Sequence, residues 1–315
     1  MFEFHLDYWR NGRGLHLKTV LLSILTSIVL GIIMLVPGVI FLIGAISMIS
    51  SQDFSGEPSG GGVAAFLISM VIGFIVSLLL YVFVLIPMTY GFLKYYKDTD
   101  LGRAPRFSDL LLFFKKGKYV KTLKLTAIMF VISVALAIVL YIVVFIVELI
   151  FIAIFGTSAA FINENNFGAM SVSFLIIMLL MMLIIFALYI PIYYVVIFLV
   201  NMVLVHIDQQ SLPTLNKLSI GWNITSKGPK SAWKLLFSNV LYFIVAYIIL
   251  AIIAVITALI ISLLPDVLKI LLGIFAYIFA FVYLIAMSYI MYGSAMNFYH
   301  KNKNALYPQN DQPDE

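Results

Sequence analysis

The chain has 315 residues, of which 63% are hydrophobic and only 10% charged, with a formal net charge of +5 and no cysteine. A soluble domain carries about a quarter charged residues, so this composition excludes an ordinary water-soluble globule. The missing cysteine excludes disulfides, thiolate metal sites and a cysteine nucleophile.

A hydrocarbon core about 30 Å thick needs roughly 20 apolar residues in a helix. Stretches free of Asp, Glu, Lys and Arg cover 19–52, 58–93, 125–147, 165–207, 235–265 and 270–300. Each is long enough to span. The first is too long for a cleavable leader and lacks a clear small-residue cleavage site, so it reads as a span. Short alternating segments of the kind a β-barrel needs are absent. The fold class is all-α: a polytopic integral membrane protein with six transmembrane helices.

Before the first span come Arg10, Arg13 and Lys18. Nine basic residues lie between Lys94 and Lys124, in the turn after span two. Lys217, Lys227, Lys230 and Lys234 separate spans four and five, and Lys301 and Lys303 follow span six. Of the 19 Lys and Arg residues only Lys269 falls on the other side. The positive-inside rule then predicts cytoplasmic N- and C-termini. The net positive charge reads as a topology signal beside anionic headgroups rather than as a nucleic-acid patch.

Three glycines, Gly12, Gly117 and Gly228, follow "YWRN", "FFKK" and "ITSK" and precede Lys18, Lys124 and Lys234, each opening an apolar helix. Ten residues upstream of each sit Phe2, Phe107 and Leu218. Phe107, Leu110, Leu111 and Phe114 keep the i, i+3, i+4, i+7 spacing of one helical face. Phe2, His5, Leu6 and Trp9 occupy the same offsets, and Leu218 and Trp222 keep part of the pattern. Ser108 is a candidate cap for the second short helix, with Asp109 favourable in its first turn. The marks "IPMTY" at 86–90, "IPIYY" at 190–194 and "IAMSY" at 285–289 recur in the second helix of each unit. The reading is one membrane domain over 1–303, made of three tandem elbow-plus-hairpin units at about 1–97, 107–208 and 212–301. Residues 304–315 form a disordered cytoplasmic tail. All three units run in the same sense, as parallel repeats do. Pro37, Pro87 and Pro191 fall inside spans, where each frees a backbone carbonyl and bends its helix.

"IPMTYGFLKYYKDTDLGRAPRFSDLLLFFKKGKYVKTLKL" and "LPTLNKLSIGWNITSKGPKSAWKLL" resemble a domain-of-unknown-function family of bacterial polytopic membrane proteins. The likeness rests on Pro87, Gly91, Phe107, Ser108, Asp109 and Leu110. It is similar as well to the membrane region beside the catalytic domain of some glycerophosphodiester phosphodiesterases, but no soluble stretch here can hold that catalytic barrel. The resemblance implies a multi-pass protein of the bacterial cytoplasmic (inner) membrane and does not imply an activity.

Catalytic chemistry is not evident in the sequence. His5, His16, His206 and His300 show no i, i+3 or i+4 pair of the kind that holds a metal on a helix, and no cofactor or metal ion is expected. Glu148 interrupts a long apolar run about 36 Å along its helix from Lys124, at 1.5 Å per residue. With Asn201 it makes a candidate polar pathway, against which stand an outer-headgroup position for Glu148 and a helix-packing hydrogen bond for Asn201. Asn223-Ile224-Thr225 matches a glycosylation sequon but is expected on the cytoplasmic side.

The remaining candidates bind lipid: Arg10, Lys115, Lys116, Lys227 and Lys230 as cations, with Trp9, Phe114 and Trp222 as interfacial anchors. The leading reading is a non-catalytic membrane protein that binds or translocates a lipid-like or amphipathic molecule, in envelope homeostasis or peptide resistance. The alternatives are a membrane scaffold or accessory subunit, and an intramembrane enzyme. The expected partners are membrane lipids, anionic ones first, then a protein partner or a homo-oligomer, and no nucleic acid.

Overall fold

A computed structural model describes residues 2–52, 58–159 and 167–308, with side chains throughout except at 154–175, 177 and 186. The described residues are helical and contain no strand. Helix α1 covers Glu3–Asn11 and α2 covers His16–Ser50. Helix α3 (Gly60–Leu80) passes through a π-helical turn at Tyr81–Leu85 into α4 (Ile86–Asp100). A 3-10 helix follows at Phe107–Phe114, then α5 (Tyr119–Ala159) and α6 (Phe167–Asp208). Helices α7 (Thr214–Ser226), α8 (Ala232–Ser262) and α9 (Asp266–Leu306) complete the order. Six helical stretches are long and apolar enough to cross a membrane, the second being α3 to α4 taken as one.

These helices form because their side chains are apolar on every side and the surrounding lipid offers the backbone no other partner. The 41 residues of α9 rise about 60 Å at 1.5 Å each, twice the ~30 Å hydrocarbon core. Its ends therefore extend beyond the hydrocarbon. Ser59 starts α3 by accepting a hydrogen bond from the Gly62 amide at 3.2 Å. The α2–α3 hairpin closes on small residues. A Cβ on Gly44 would lie 1.6 Å from Ser69 Oγ, and one on Gly62 would lie 1.7 Å from Ser51 Oγ. Close backbone approach of this kind is the usual glue between apolar helices.

Pro87 sits just after the π-helical turn and cannot donate to the carbonyl four residues back, that of Phe83. The Tyr119 hydroxyl supplies the missing donor at 2.9 Å. Pro37 and Pro191 lie inside α2 and α6.

The chain forms two compact units, one of Met1–Thr126 with Asn201–Glu315 and one of Ala127–Val200. Within the second unit, the described part of α5 presents Ile138, Val139, Tyr141 and Ile142 outward, and Tyr141 stacks on Phe145 at 6.3 Å. The first unit carries the short helices, and its core lies at the helix ends. Tyr95–Asp100 of α4, Asn201–Ile207 of α6 and Met296–His300 of α9 are each buried without a break. One face of a helix repeats every three or four residues, so an unbroken buried run means that each end is surrounded.

Three sequence expectations are corrected. The cap of the 3-10 helix is not Ser108, which lies inside it. Arg106 holds the cap position, and its amide donates to the Asp109 carboxylate at 3.0 Å. Residues 304–306 are not a disordered tail. They continue α9, and the Tyr307 amide closes its last turn on Lys303 O at 2.8 Å. Residues 309–315 of the expected tail lie outside the described residues. The units expected to end at about 97 and 301 have last helices that run further, to Asp100 and Leu306.

Candidate functional site

Each short helix buries the same two offsets of the aligned pattern. These are His5 and Tyr8 in α1, Leu110 and Phe113 in the 3-10 helix, and Gly221 and Ile224 in α7. Tyr8, Phe113 and Ile224 are fully buried. The offset four residues from Phe2, Phe107 and Leu218 turns outward instead, with Leu6, Leu111 and Trp222 about half exposed, as is Trp9 at the offset of seven. At that last offset Phe114 is half-buried and Thr225 buried. An apolar side chain is thus left open on each short helix.

What each short helix docks on also follows one rule. Helix α1 lies on α9, where a Cβ on Gly293 would strike the Tyr8 ring at 2.1 Å. The 3-10 helix lies on α4, where a Cβ on Gly91 would strike Asp109 O at 2.5 Å and Leu110 Cα at 2.6 Å. Helix α7 lies on the end of α6, with the Gly221 Cβ position 3.0 Å from Met202 N and Cα. Each short helix therefore clamps the returning helix that precedes it, and α1 clamps the last, so the contacts close a circuit. The three aligned glycines are glycine for different reasons. Gly117 has φ +81°, a conformation that disfavours other side chains. Gly12 and Gly228 instead leave no room for a Cβ against Thr99 and Asn302.

Inside the circuit lies a polar core. Asp100 accepts from Asn11 Nδ2 at 3.0 Å, from Asn297 Nδ2 at 3.1 Å and from His300 Nδ1 at 2.5 Å. Asp208 accepts from Lys97, from Lys303 Nζ at 2.7 Å and from the Tyr299 hydroxyl at 2.6 Å. Glu3 receives Lys230, Lys234 and Lys301, each at 2.7 Å, and Asp7 receives Lys301 at 2.5 Å. The three ammonium groups, Lys230 foremost, hold the Glu3 carboxyl below the usual carboxylate range. Lys217 is buried with no carboxylate partner among the described residues, and donates to His206 Nδ1 at 2.8 Å and to Gln210 O at 3.2 Å. Burial lowers the Lys217 ammonium from its ordinary value. The other His206 nitrogen pairs with Thr122 Oγ1 at 3.0 Å, so His206 and Asp208 turn to different partners rather than to a shared ion. His5 is buried beside Ser238 Oγ at 3.3 Å, and burial pushes it down to about 4.

His300 with Asp100 has the form of a base held by a carboxylate. Its Nε2 is buried and, among the described residues, bonded to no hydroxyl, and Asn297 Oδ1 is likewise without a partner. The carboxylates of Asp100 and Asp208, each accepting three hydrogen bonds, fix one arrangement of three helix ends.

The residues expected from sequence are spread around this core. Trp9, 54% exposed, stacks on His16 at 4.2 Å, and Arg10 reaches Asp7 only at 4.0 Å. Lys115 and Lys116 are exposed after the 3-10 helix, and Phe114 stacks on Tyr119 at 5.6 Å. Lys227 is exposed, whereas Lys230 is tied to Glu3. Asn201 is buried and donates to Thr225 Oγ1 at 2.8 Å, a bond that fastens α6 to α7. Glu148 is an exposed residue of α5 in the other unit. Sequence reasoning did not single out Asp98, Asp100 or Lys97, which follow an apolar run.

Among the cavities of the first unit are two of opposite character. One, of about 180 Å³, is an apolar groove of α8 and α9 lined by Tyr242, Ala246, Tyr283 and Met287 among others. The other, of about 230 Å³, is polar and lined by Lys94, Asp98, Arg103, Ala104, Arg106 and Asp109. No family model, curated protein or solved structure matches the chain.

Proposed function

We propose that this six-span membrane protein is a non-catalytic handler of lipid-like or amphipathic molecules at one membrane face. The observation that carries the reading is the apolar side chain left open on each short helix. Leu6, Trp9, Leu111 and Trp222 stay about half exposed while the opposite faces are locked on the returning helices. Apolar side chains that border basic ones suit the boundary between headgroups and acyl chains. Anionic lipid would meet Arg10, Lys115, Lys116 and Lys227 there. The proposed orientation puts this face and both termini on the cytoplasmic side of a bacterial inner membrane, and the distribution of Lys and Arg supports that orientation.

Native mass spectrometry of the protein freed gently from its membrane tests the reading. Bound lipid is expected to survive, and to fall when Leu6, Leu111 and Trp222 become Ser. A wild-type protein that carries no lipid overturns it. Orientation is tested separately, because the chain has no native cysteine. Gly60→Cys and Ser262→Cys are expected to label from outside intact cells, and Ser226→Cys is not.

A further inference from the structure

We infer that the polar cavity at the end of α4 binds the phosphate of an anionic phospholipid, held by Arg103 and Arg106. The inference rests on the lipid-handling reading and gives it a specific site, away from the exposed Lys115 and Lys116.

The loop is built to present these two arginines. Helix α4 ends in a Schellman motif: the Arg103 amide donates to Asp98 O at 2.8 Å and the Gly102 amide to Thr99 O at 3.0 Å. Gly102 takes φ +66° to allow it. Pro105 is buried and stiffens the next step. Arg106 is extended, and its amide is fixed on the Asp109 carboxylate. Both arginine backbones are thus held at the cavity while the residues remain exposed.

The two acids in the wall are already engaged. Lys94 pairs with Asp98, and with Asp109 at 3.4 Å. Among the described residues neither guanidinium has a carboxylate within 4.0 Å. Lys94, Arg103 and Arg106 against Asp98 and Asp109 leave one positive charge over. A guanidinium presents paired N–H donors that match two phosphate oxygens. The volume of about 230 Å³ holds roughly eight waters at ~30 Å³ each, enough for a phosphate group. Leu101 is 40% exposed and Phe107 41% exposed, one on each side of the arginines. Free phosphate would gain nothing from them, whereas a phosphate carried on acyl chains would, which favours the lipid.

The test is titration of the delipidated protein in detergent with phosphatidylglycerol or phosphatidylcholine, read by native mass spectrometry. Wild type is expected to prefer phosphatidylglycerol. R103Q/R106Q is expected to lose about tenfold in its affinity, and R103K/R106K most of that despite unchanged charge, because the paired donors are gone. R13Q/K18Q removes the same charge from two exposed residues outside the cavity and is expected to change affinity less than about twofold. Equal losses in the two Gln pairs would overturn the site in favour of diffuse attraction. Unchanged binding by R103Q/R106Q would overturn it too, while leaving lipid handling intact. Competition by millimolar inorganic phosphate or glycerol phosphate as effective as that by lipid would show a free-anion site and overturn the lipid source. A wild type that binds neither lipid would sink the broader reading as well.

Discussion

The helix ends of the first unit and the apolar stretches behind them are held by different means. At the ends, six consecutive residues of α4 from Tyr95 to Asp100 are buried, and Asp100 alone takes three hydrogen bonds. In α3, a few turns earlier, Leu67, Ile68, Val71 and Phe74 are each more than half exposed. Contacts there depend on glycines such as Gly44 and Gly73. The comparison teaches that arrangement is specified where charge is buried, while lipid-facing stretches need only be apolar and long. Buried ions constrain geometry tightly because a lost partner leaves an uncompensated charge.

The hardest break should come at Asp208. Asp208→Asn leaves Lys97 and Lys303 near one another with no carboxylate, and losing one partner of a buried pair costs about 3–5 kcal/mol. Thermal unfolding in detergent should show a large fall for D208N and almost none for Ile68→Ala, a residue 60% exposed. Similar shifts would erase the contrast.

Next in size is overpacking at a clamp. A Cβ at Gly91 meets backbone of the 3-10 helix, which cannot step aside as a side-chain tip can. Gly91→Val should cost about 1–3 kcal/mol. Gly31→Ala, with nothing within 4 Å of the new Cβ, should be neutral by the same assay.

A smaller effect is set by pH. His5 titrates near 6.5 when unfolded and is pushed down to about 4 when folded. Between those values the unfolded chain takes up a proton that the folded one refuses. Stability is therefore full above the unfolded value and declines as pH falls towards the folded value. The loss should reach about 2 kcal/mol from about pH 7 to about pH 5. Melting temperature against pH should flatten over this range in His5→Asn, and an unchanged slope would count against the burial argument.

The smallest expected effect lies in the apolar region itself. Tyr119→Phe removes the donor to the Phe83 carbonyl and should cost about 1 kcal/mol. It tests whether hydrogen bonding contributes there at all.

Much of this was legible in the chain. Apolar runs give the six long helices, and the recurring offsets point to short helices at 3–11, 107–114 and 214–226. The face divides. Of Phe2, His5, Leu6 and Trp9, His5 is buried beside Ser238 of α8 while Leu6 and Trp9 stay about half exposed, and Tyr8, off that face, is buried against α9. Tyr8, Phe113 and Ile224 share one offset, a signal that the alignment of the three glycines already contained. The acids at 98 and 100 were hidden by their place in the sequence. A charge just past an apolar run looks solvated, and only the meeting of three helix ends makes it buried. The arginines at 103 and 106 were counted for orientation alone, since nothing local distinguishes them from Lys115 and Lys116.

The docking of α1 on α9 sets an order of events during synthesis. Phe4 and Tyr8 are made among the first residues of this sequence, but the surface that buries them, around Gly293 and Phe298, is made nearly three hundred residues later. Domains generally settle in the order in which they emerge. Here the earliest helix must wait, with its aromatic side chains unmatched, while five crossings enter the bilayer. Chains halted before α9 should therefore display α1 undocked. That makes the N-terminal helix a reporter on whether the sixth crossing has arrived.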